Sequence, residues 1–404
     1  MGIRLVVVDD SPHVSWDGRI HPVNATCQHF VAGLLDLPGS PVAAVVSCVP
    51  VRAASAEAGD AVPATLALDP RIRVVATAPF DGIQGYLRHL PAMLRANRPV
   101  LRAALADADL VWIKVPASNA LLAATLARGT GVPRFGYVAG SAQQVAAAQQ
   151  RAPLAAVGAR AVGLAYDLAG RLASVGGDRL VVGQDLDGSG VVSSLVEPGN
   201  VVDIADSAWP REDGRLRLAW AGRLAPGKGI ETLLEAIALL AATPPDGRRV
   251  ELDLLGDGPA RASLMAEADR LGIADRVHWM GYVASRPPYL EALARADLFV
   301  FPSPAEGFPK VVLDAFAVGL PVVATPSGAL AELGRGRLEV VAADDAVLLA
   351  DAIRGLVNDP ARAHDLRAAG SDFAAAHTRL AEAAQLVDRW TRRYPALPWS
   401  NSTT

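Results

Sequence analysis

The sequence predicts an α/β protein of two domains, each built on a parallel sheet wrapped by helices. Three observations carry that expectation. The chain has 404 residues, where one domain ordinarily takes about 100 to 200. Short runs rich in Val, Ile and Leu alternate along nearly its whole length with longer, Ala-rich amphipathic stretches, the pattern of βαβ units whose strands are buried on both faces. With 51% hydrophobic residues, 20% charged residues and a formal net charge of −4, there is apolar surface for two cores. The charge balance excludes a disordered chain and a polycation directed at nucleic acid.

The opening MGIRLVVVDDSP has an apolar run that stops at Asp9 and Asp10, too short for a secretory signal and suited to a buried first strand. Further strands are expected near Pro41–Val49, Arg73–Ala76, Leu110–Lys114 and Arg134–Val138. The stretch after the first strand reads as a loop. A helix is expected from His21 to Leu35, where Val23, Cys27, Phe30, Val31, Leu34 and Leu35 would share one apolar face. The second half repeats the rhythm, with strands near Leu216–Trp220, Val250–Leu255, Arg276–Met280, Leu298–Phe301, Pro321–Ala324 and Leu338–Val341.

Turn formers in Glu197–Pro210 mark the link between halves, so the expected domains are 1–207 and 208–385. The remaining 386–404 holds Trp390, Tyr394 and Trp399. Such residues are costly to leave in water, and the tail is expected to pack back on the first domain.

No apolar stretch approaches the roughly 18 residues of a membrane-spanning helix, and no basic or amphipathic membrane-docking segment stands out. Cys27 and Cys48 have neither disulfide-framework nor zinc-site spacing. These features point to a cytoplasmic protein with no integral membrane association. Asn24-Ala25-Thr26 and Asn401-Ser402-Thr403 match the glycosylation acceptor pattern, which is short enough to arise by chance.

Two stretches carry chemistry. The first is WAGRLAPGKGIETLLEAI, residues 220–237: a strand ending at Gly222, a loop with Arg223, Gly227, Lys228 and Gly229, then a helix with Leu233, Leu234 and Ile237 on one face. Glycines let the backbone approach an anion, the helix start offers N–H groups, and the cations add charge, so a diphosphate would be well held. A plain βα turn with surface cations is the competing reading. The second is FPSPAEGFPKVVLDAFAVGLPVVATPSG, residues 301–328. It sets Glu306 in a loop and Asp314 two turns beyond it, inside a helix that starts near Pro309, so one acid can reach a sugar while the other accepts bonds from a ribose diol. Helix-capping by Glu306 and simple solvation of Asp314 would explain the same residues.

In this order, with Gly256-Asp257-Gly258 and Gly281 between them, the two stretches resemble the retaining, nucleotide-sugar-dependent glycosyltransferases of family 4 (glycosyl transferases group 1). The dense part of the resemblance is 216–332. It implies the GT-B fold: two facing Rossmann-like domains with parallel sheets and an interdomain cleft. It also implies that Arg223 and Lys228 neutralise the departing diphosphate and that Glu306 contacts the donor sugar. Gly18, Gly222, Gly227, Gly256 and the backbone of Phe308, Pro309, Lys310 and Val311 would approach the donor, and Asp314 would hold the ribose. Asp314 stands where the family usually has the longer Glu. The first domain would bind the acceptor, with His13, Trp16, Asp17, His21 and Lys114 as candidates. Lys114 and Ala139 occupy places where relatives often carry His, and a lysine cannot copy a neutral imidazole.

Asp107-Ala108-Asp109 and Asp185-Leu186-Asp187 are metal-type Asp pairs that do not follow a presenting strand, and His13 with His21 is too weak a pair for a metal. No metal and no cofactor are therefore expected. The implied function is metal-independent transfer of a sugar, with retention, from a nucleoside diphosphate to a small soluble acceptor. A non-catalytic sugar-nucleotide-binding partner protein and a phosphorylase or sugar-nucleotide epimerase on the same architecture are the alternatives.

Overall fold

The computed structural model describes residues 2–23, 26–53, 69–139, 163–165, 167–168, 170–173, 176–184, 191–204 and 209–399. Asn24, Ala25, the triplet at Asn401, the Asp185 pair and position 207 lie outside them. The chain divides into two compact units. One comprises Met1–Gln143, Val157–Ser193 and Arg379–Thr404; the other comprises Gln144–Ala156 and Ser194–Thr378. The divisions fall at Ser193/Ser194 and Thr378/Arg379, earlier than 207 and 385. Ser193 is anchored in the first unit, its hydroxyl 2.5 Å from the Tyr137 hydroxyl, and a helix break at His377-Thr378 starts the return.

In the first unit, β1 (Ile3–Val8) lies between β4 (Val42–Ala53) and β6 (Leu110–Val115), all parallel. Beyond β6 come β7 (Arg134–Val138) and β8 (Asp178–Val181), while β5 (Ile72–Thr77) flanks β4. Helices α1 (Thr26–Asp36), α2 (Gly82–Arg88), α3 (Leu90–Leu105) and α4 (Ala120–Thr130) connect them. Buried Val6, Val8, Leu101, Leu105, Val111 and Ile113 form one core with the alanines of α4, which shows why this chain is so rich in Ala: small side chains let helix and sheet approach closely.

Two expectations are corrected here. The loop after strand 1 and the start of the expected helix are a hairpin, β2 (His13–Trp16) antiparallel to β3 (Arg19–Pro22). Asp17 at φ 48° and Gly18 at φ 69° form its turn, as the Asp-Gly pair favours. His21 and Pro22 thus pair with Val14 and His13, α1 begins at Thr26, and Val23 is exposed. The second correction concerns α3, which is both basic and amphipathic. Asn97, Leu101, Ala104 and Leu105 are buried while Arg95, Arg98 and Arg102 are exposed. Only the helical register gathers those arginines on one side.

The second unit is a six-stranded parallel sheet in the order β11-β10-β9-β12-β13-β14. Its strands are β9 (Arg215–Ala221), β10 (Arg249–Leu255), β11 (Val277–Gly281), β12 (Leu298–Phe301), β13 (Val322–Ala324) and β14 (Glu339–Val340). The intervening helices are α5 (Ile230–Ala242), α6 (Arg261–Arg270), α7 (Arg286–Ala294), α8 (Lys310–Ala317) and α9 (Leu330–Arg337), followed by α10 (Ala346–Asn358) and α11 (Pro360–Ala376). Leu218, Trp220, Leu252, Leu254, Phe299 and Val323 are fully buried, as strands covered on both faces require.

The last helix, α12 (Arg379–Arg393), belongs to the first unit. Trp390 is fully buried, edge-on to Trp112 at 5.7 Å and to Phe135 at 5.3 Å between centroids. Arg389 grips both carboxylate oxygens of Asp178 at 2.5 and 2.7 Å, and the Tyr394 hydroxyl donates to the Arg134 carbonyl at 2.6 Å. We predict that Trp390→Ala destabilises the first unit by about 3 to 5 kcal/mol. Urea unfolding followed by tryptophan fluorescence measures it; an unchanged midpoint would contradict the packing described.

Candidate active site

In an open α/β sheet, ligands bind at the strand C-termini where the strand order reverses. In the second unit that point is β9, which has β10 on one side and β12 on the other. The loops leaving these three strands are drawn together through backbone. Gly222 N–H donates to the Leu255 carbonyl at 3.0 Å, and Leu224 N–H to that of Asp257 at 3.0 Å. A β-carbon on Gly256 would sit 1.8 Å from the Gly222 oxygen, and one on Gly229 would sit 2.0 Å from the Pro302 oxygen. No side chain fits at either place. Gly229 also has φ 70° as it turns the loop into α5, a conformation that suits glycine.

This approach sets Lys228 against the loop after β12. Its Nζ lies 2.6 Å from Glu306 Oε1, and Ser303 Oγ donates to the same oxygen at 2.8 Å. The Glu306 loop is held from behind, where Ala329 N–H donates to the Gly307 carbonyl at 3.0 Å. Arg223, on the same loop as Lys228, is exposed and makes no ion pair among the described residues. Gly227 lies between these two cations with φ 79°. Phe308 and Pro309 lead into α8, which Lys310 and Val311 open. An α-helix leaves such first N–H groups without intrahelical partners; Pro309, having no N–H, contributes only its shape.

Asp314 sits one turn further in, 4% exposed. Its Oδ1 accepts from Arg286 Nη2 at 2.7 Å and its Oδ2 lies 3.5 Å from Nη1, so the first residue of α7 forks onto it. Burial pushes the neighbouring Tyr289 phenol well above its ordinary range, and the Asp314 charge adds to the shift. Arg286 was not legible as a site residue, because it belongs to no motif. Of the sequence candidates, the structure thus joins Lys228 to Glu306 directly and gives Asp314 a partner of its own.

The first unit has a reversal of its own at β1, between β4 and β6. At its C-terminal edge Lys114 Nζ meets Asp9 Oδ1 at 2.7 Å, with Ser11 Oγ at 3.5 Å. Burial works to raise the Asp9 carboxyl, but the Lys114 charge together with hydrogen bonds from Lys114, Ser11 and Cys27 outweighs it and holds the group below its ordinary value. Burial likewise opposes the Lys114 charge, and Cys27, Asp9 and Asp10 together more than offset it, so the ammonium is held above the usual lysine range.

The other acceptor candidates fall elsewhere. His13 is fully buried in β2, its Nδ1–H donating to the Ser11 carbonyl at 2.8 Å, and burial pulls the ring below the usual histidine range. Trp16 is 55% exposed beside the Asp17-Gly18 turn at the hairpin tip, and His21 is half-buried on β3. Gly18 therefore serves a hairpin, with nothing near its missing side chain. Asp107 and Asp109 are both engaged by Arg4, through its guanidinium at 3.3 Å and its N–H at 2.7 Å.

The segment that carries this geometry is similar to known proteins. Residues 215–359 match the family described as glycosyl transferases group 1. Among curated relatives, the lipopolysaccharide core biosynthesis mannosyltransferase LpsB of Rhizobium meliloti is 37% identical over 147 residues, 35% of this chain and 41% of that protein. The D-inositol 3-phosphate glycosyltransferase 2 of Catenulispora acidiphila is 32% identical over 240 residues, 53% of this chain and 56% of its own length. The chain thus spans about half the length of these relatives. Among solved structures, Anabaena HepE in complex with UDP has TM-score 0.63 at 16% identity, covering 97% of this chain and 100% of that one. Sucrose-phosphate synthase from Thermosynechococcus elongatus has TM-score 0.67 at 17% identity, covering 98% and 100%; at such identities the likeness is one of fold. Residues 215–359, which hold the ordered motifs, are thus similar to the glycosyl transferases group 1, and the chain has two Rossmann-like units of GT-B type.

Proposed function

We propose that the protein is a retaining glycosyltransferase that moves a sugar from a nucleoside diphosphate to a small hydroxylated acceptor, without a metal ion. The observation that carries this reading is the Lys228–Glu306 pair at the β9/β12 reversal, inside the matched segment. A donor diphosphate would draw Lys228 away from Glu306 and add Arg223 and the start of α8, where positive partial charge favours phosphate. Gly222, Gly227 and Gly256 keep the loops open to that approach. Glu306, once released, would accept bonds from sugar hydroxyls. Asp314, steadied by Arg286, keeps lone pairs for the ribose diol, since an ionised carboxylate has about four acceptor positions.

As the bond between the anomeric carbon and the diphosphate oxygen breaks, its electron pair goes to the phosphate, where Lys228 and Arg223 stabilise the growing charge. The acceptor oxygen then bonds to the same face of the carbon, and its proton passes to the departing phosphate oxygen. On the acceptor side, Asp9 neutralises Lys114. The pair therefore offers one donor and one acceptor rather than a net cation, which suits hydroxyls.

HepE has been solved with UDP and with UDP-glucose, so a uridine donor is the first to test. UDP should raise the melting temperature of the protein, because a ligand at a hundredfold excess over its Kd stabilises by about 2.7 kcal/mol. Lys228→Ala should abolish that shift and lower kcat/KM by about 10² to 10³. Glu306→Ala should leave UDP binding intact and remove turnover. Undiminished turnover in Glu306→Ala sinks the proposed role of that acid, and sugar-nucleotide consumption without acceptor selects the phosphorylase or epimerase alternative.

The Asp9–Lys114 pair yields a pH test. Because the folded Asp9 carboxyl is held low, its contribution is present above the unfolded value of about 3.9 and is lost as pH falls through the folded one. Lys114→Met strands the buried Asp9 charge and should cost about 3 kcal/mol at neutral pH. The deficit should shrink as acid protonates Asp9, which denaturant midpoints across pH will show. A deficit independent of pH would mean that lost packing, rather than charge, is responsible.

A further inference from the structure

Arg286 and Tyr289 stand three residues apart on α7, a spacing that puts two side chains on one helix face. Both act on a single carboxylate, Asp314 of α8. Arg286 Nη2 donates to its Oδ1 at 2.7 Å, while Nη1 stands off from Oδ2 at 3.5 Å. Tyr289 lies close enough for the Asp314 charge to act on its phenol. Its hydroxyl nevertheless completes no hydrogen bond among the described residues, and neither does Arg286 Nε–H, although both atoms are shut off from solvent. A buried donor left without a partner destabilises the folded state. Asp314 itself takes one short bond among the described residues, where an ionised carboxylate offers about four acceptor positions. An ion pair that served only to pin α7 to α8 would have no reason to carry two spare donors around one spare acceptor.

We propose that Arg286 and Tyr289 are specificity residues, which make the donor site select ribonucleoside over deoxyribonucleoside diphosphates. The inference rests on the reading of Asp314 as the ribose contact. A hydroxyl both donates and accepts, so the 2′ and 3′ hydroxyls can give their protons to Asp314 and take the Arg286 Nε–H and Tyr289 O–H bonds in return. A methylene in place of either hydroxyl does neither. It leaves a donor stranded, which is how a site built to hydrogen-bond a hydroxyl rejects the analogue that lacks it. Both donors are covered in the free protein, so the ribose must tilt the guanidinium aside to reach them. Arg286, with its side chain 25% exposed against 5% for Asp314, has the room to do so. The two donors from α7 also offset the reach that Asp314 lacks as the shorter acid.

The test is calorimetric titration of the full chain with UDP, 2′-deoxy-UDP and 3′-deoxy-UDP, or with GDP and its deoxy forms if guanosine is preferred. The wild type should bind at least one deoxy analogue about tenfold more weakly than the parent, or worse. Tyr289→Phe removes an unpaired buried hydroxyl, so its ligand-free melting temperature should hold or rise, while its affinity for the parent nucleotide falls about tenfold and its discrimination shrinks. Arg286→Lys keeps a charge opposite Asp314 but lacks the Nε–H, and should lose discrimination in the same way. Equal binding of parent and both analogues by the wild type, or wild-type discrimination in both variants, would overturn the inference and leave the diphosphate reading standing. A lower ligand-free melting temperature in Tyr289→Phe, with parent and analogues weakened in proportion, would also overturn it and reduce the pair to a structural tie. Binding of no ribonucleoside diphosphate at all would remove the donor reading, and this inference with it.

Discussion

The carbonyl oxygens of Gly222 and Pro302 are approached so closely by Gly256 and Gly229 that the space for a β-carbon is gone. The rest of the second unit's site depends on this backbone contact. Three loops that leave neighbouring strands become one surface, and the ammonium of Lys228 is held within hydrogen-bond distance of an acid 78 residues away in sequence. A substitution at either glycine would separate the loops without touching a charged residue. The chemical groups in such a site are placed by what is missing beside them.

Three charged pairs at the strand ends rest neutralised: Lys228 with Glu306, Arg286 with Asp314, Lys114 with Asp9. Removing charges from water is costly unless each is matched, and partly buried sites of the kind proposed here for a diphosphate or a polyol meet that cost by self-pairing. A ligand then exchanges partners instead of encountering bare charge. Selectivity follows from the exchange, because a ligand that offers no replacement for the lost pair leaves a carboxylate or an ammonium stranded.

Much of this was readable from the chain. Strands such as Leu298–Phe301 announce themselves as apolar runs, and the order of Lys228, Gly256, Glu306 and Asp314 survives in one dimension because each follows its strand directly. What could not be read is what the fold brings from a distance. Arg286 joins Asp314 from another helix, and Asp9 joins Lys114 across two adjacent strands. The hairpin is a different case: Asp17-Gly18 is a strong turn signal, but the apolar period from Val23 onward, extended backwards, concealed it. The arginines of α3 are spread over a helix with interspersed Ala and Pro, so their clustering appears only with the register.

The aromatic core of the first unit closes on Trp390, which reaches Trp112 and Phe135 only after the whole of the second unit has been made. On the ribosome, where earlier domains ordinarily finish folding first, the order is inverted. The later unit is complete once Thr378 has been made and can fold while the earlier one still waits with its aromatic centre unfilled. The nascent first unit is therefore the part of this molecule that needs protection from premature association, and its assembly is gated by the arrival of the final helix.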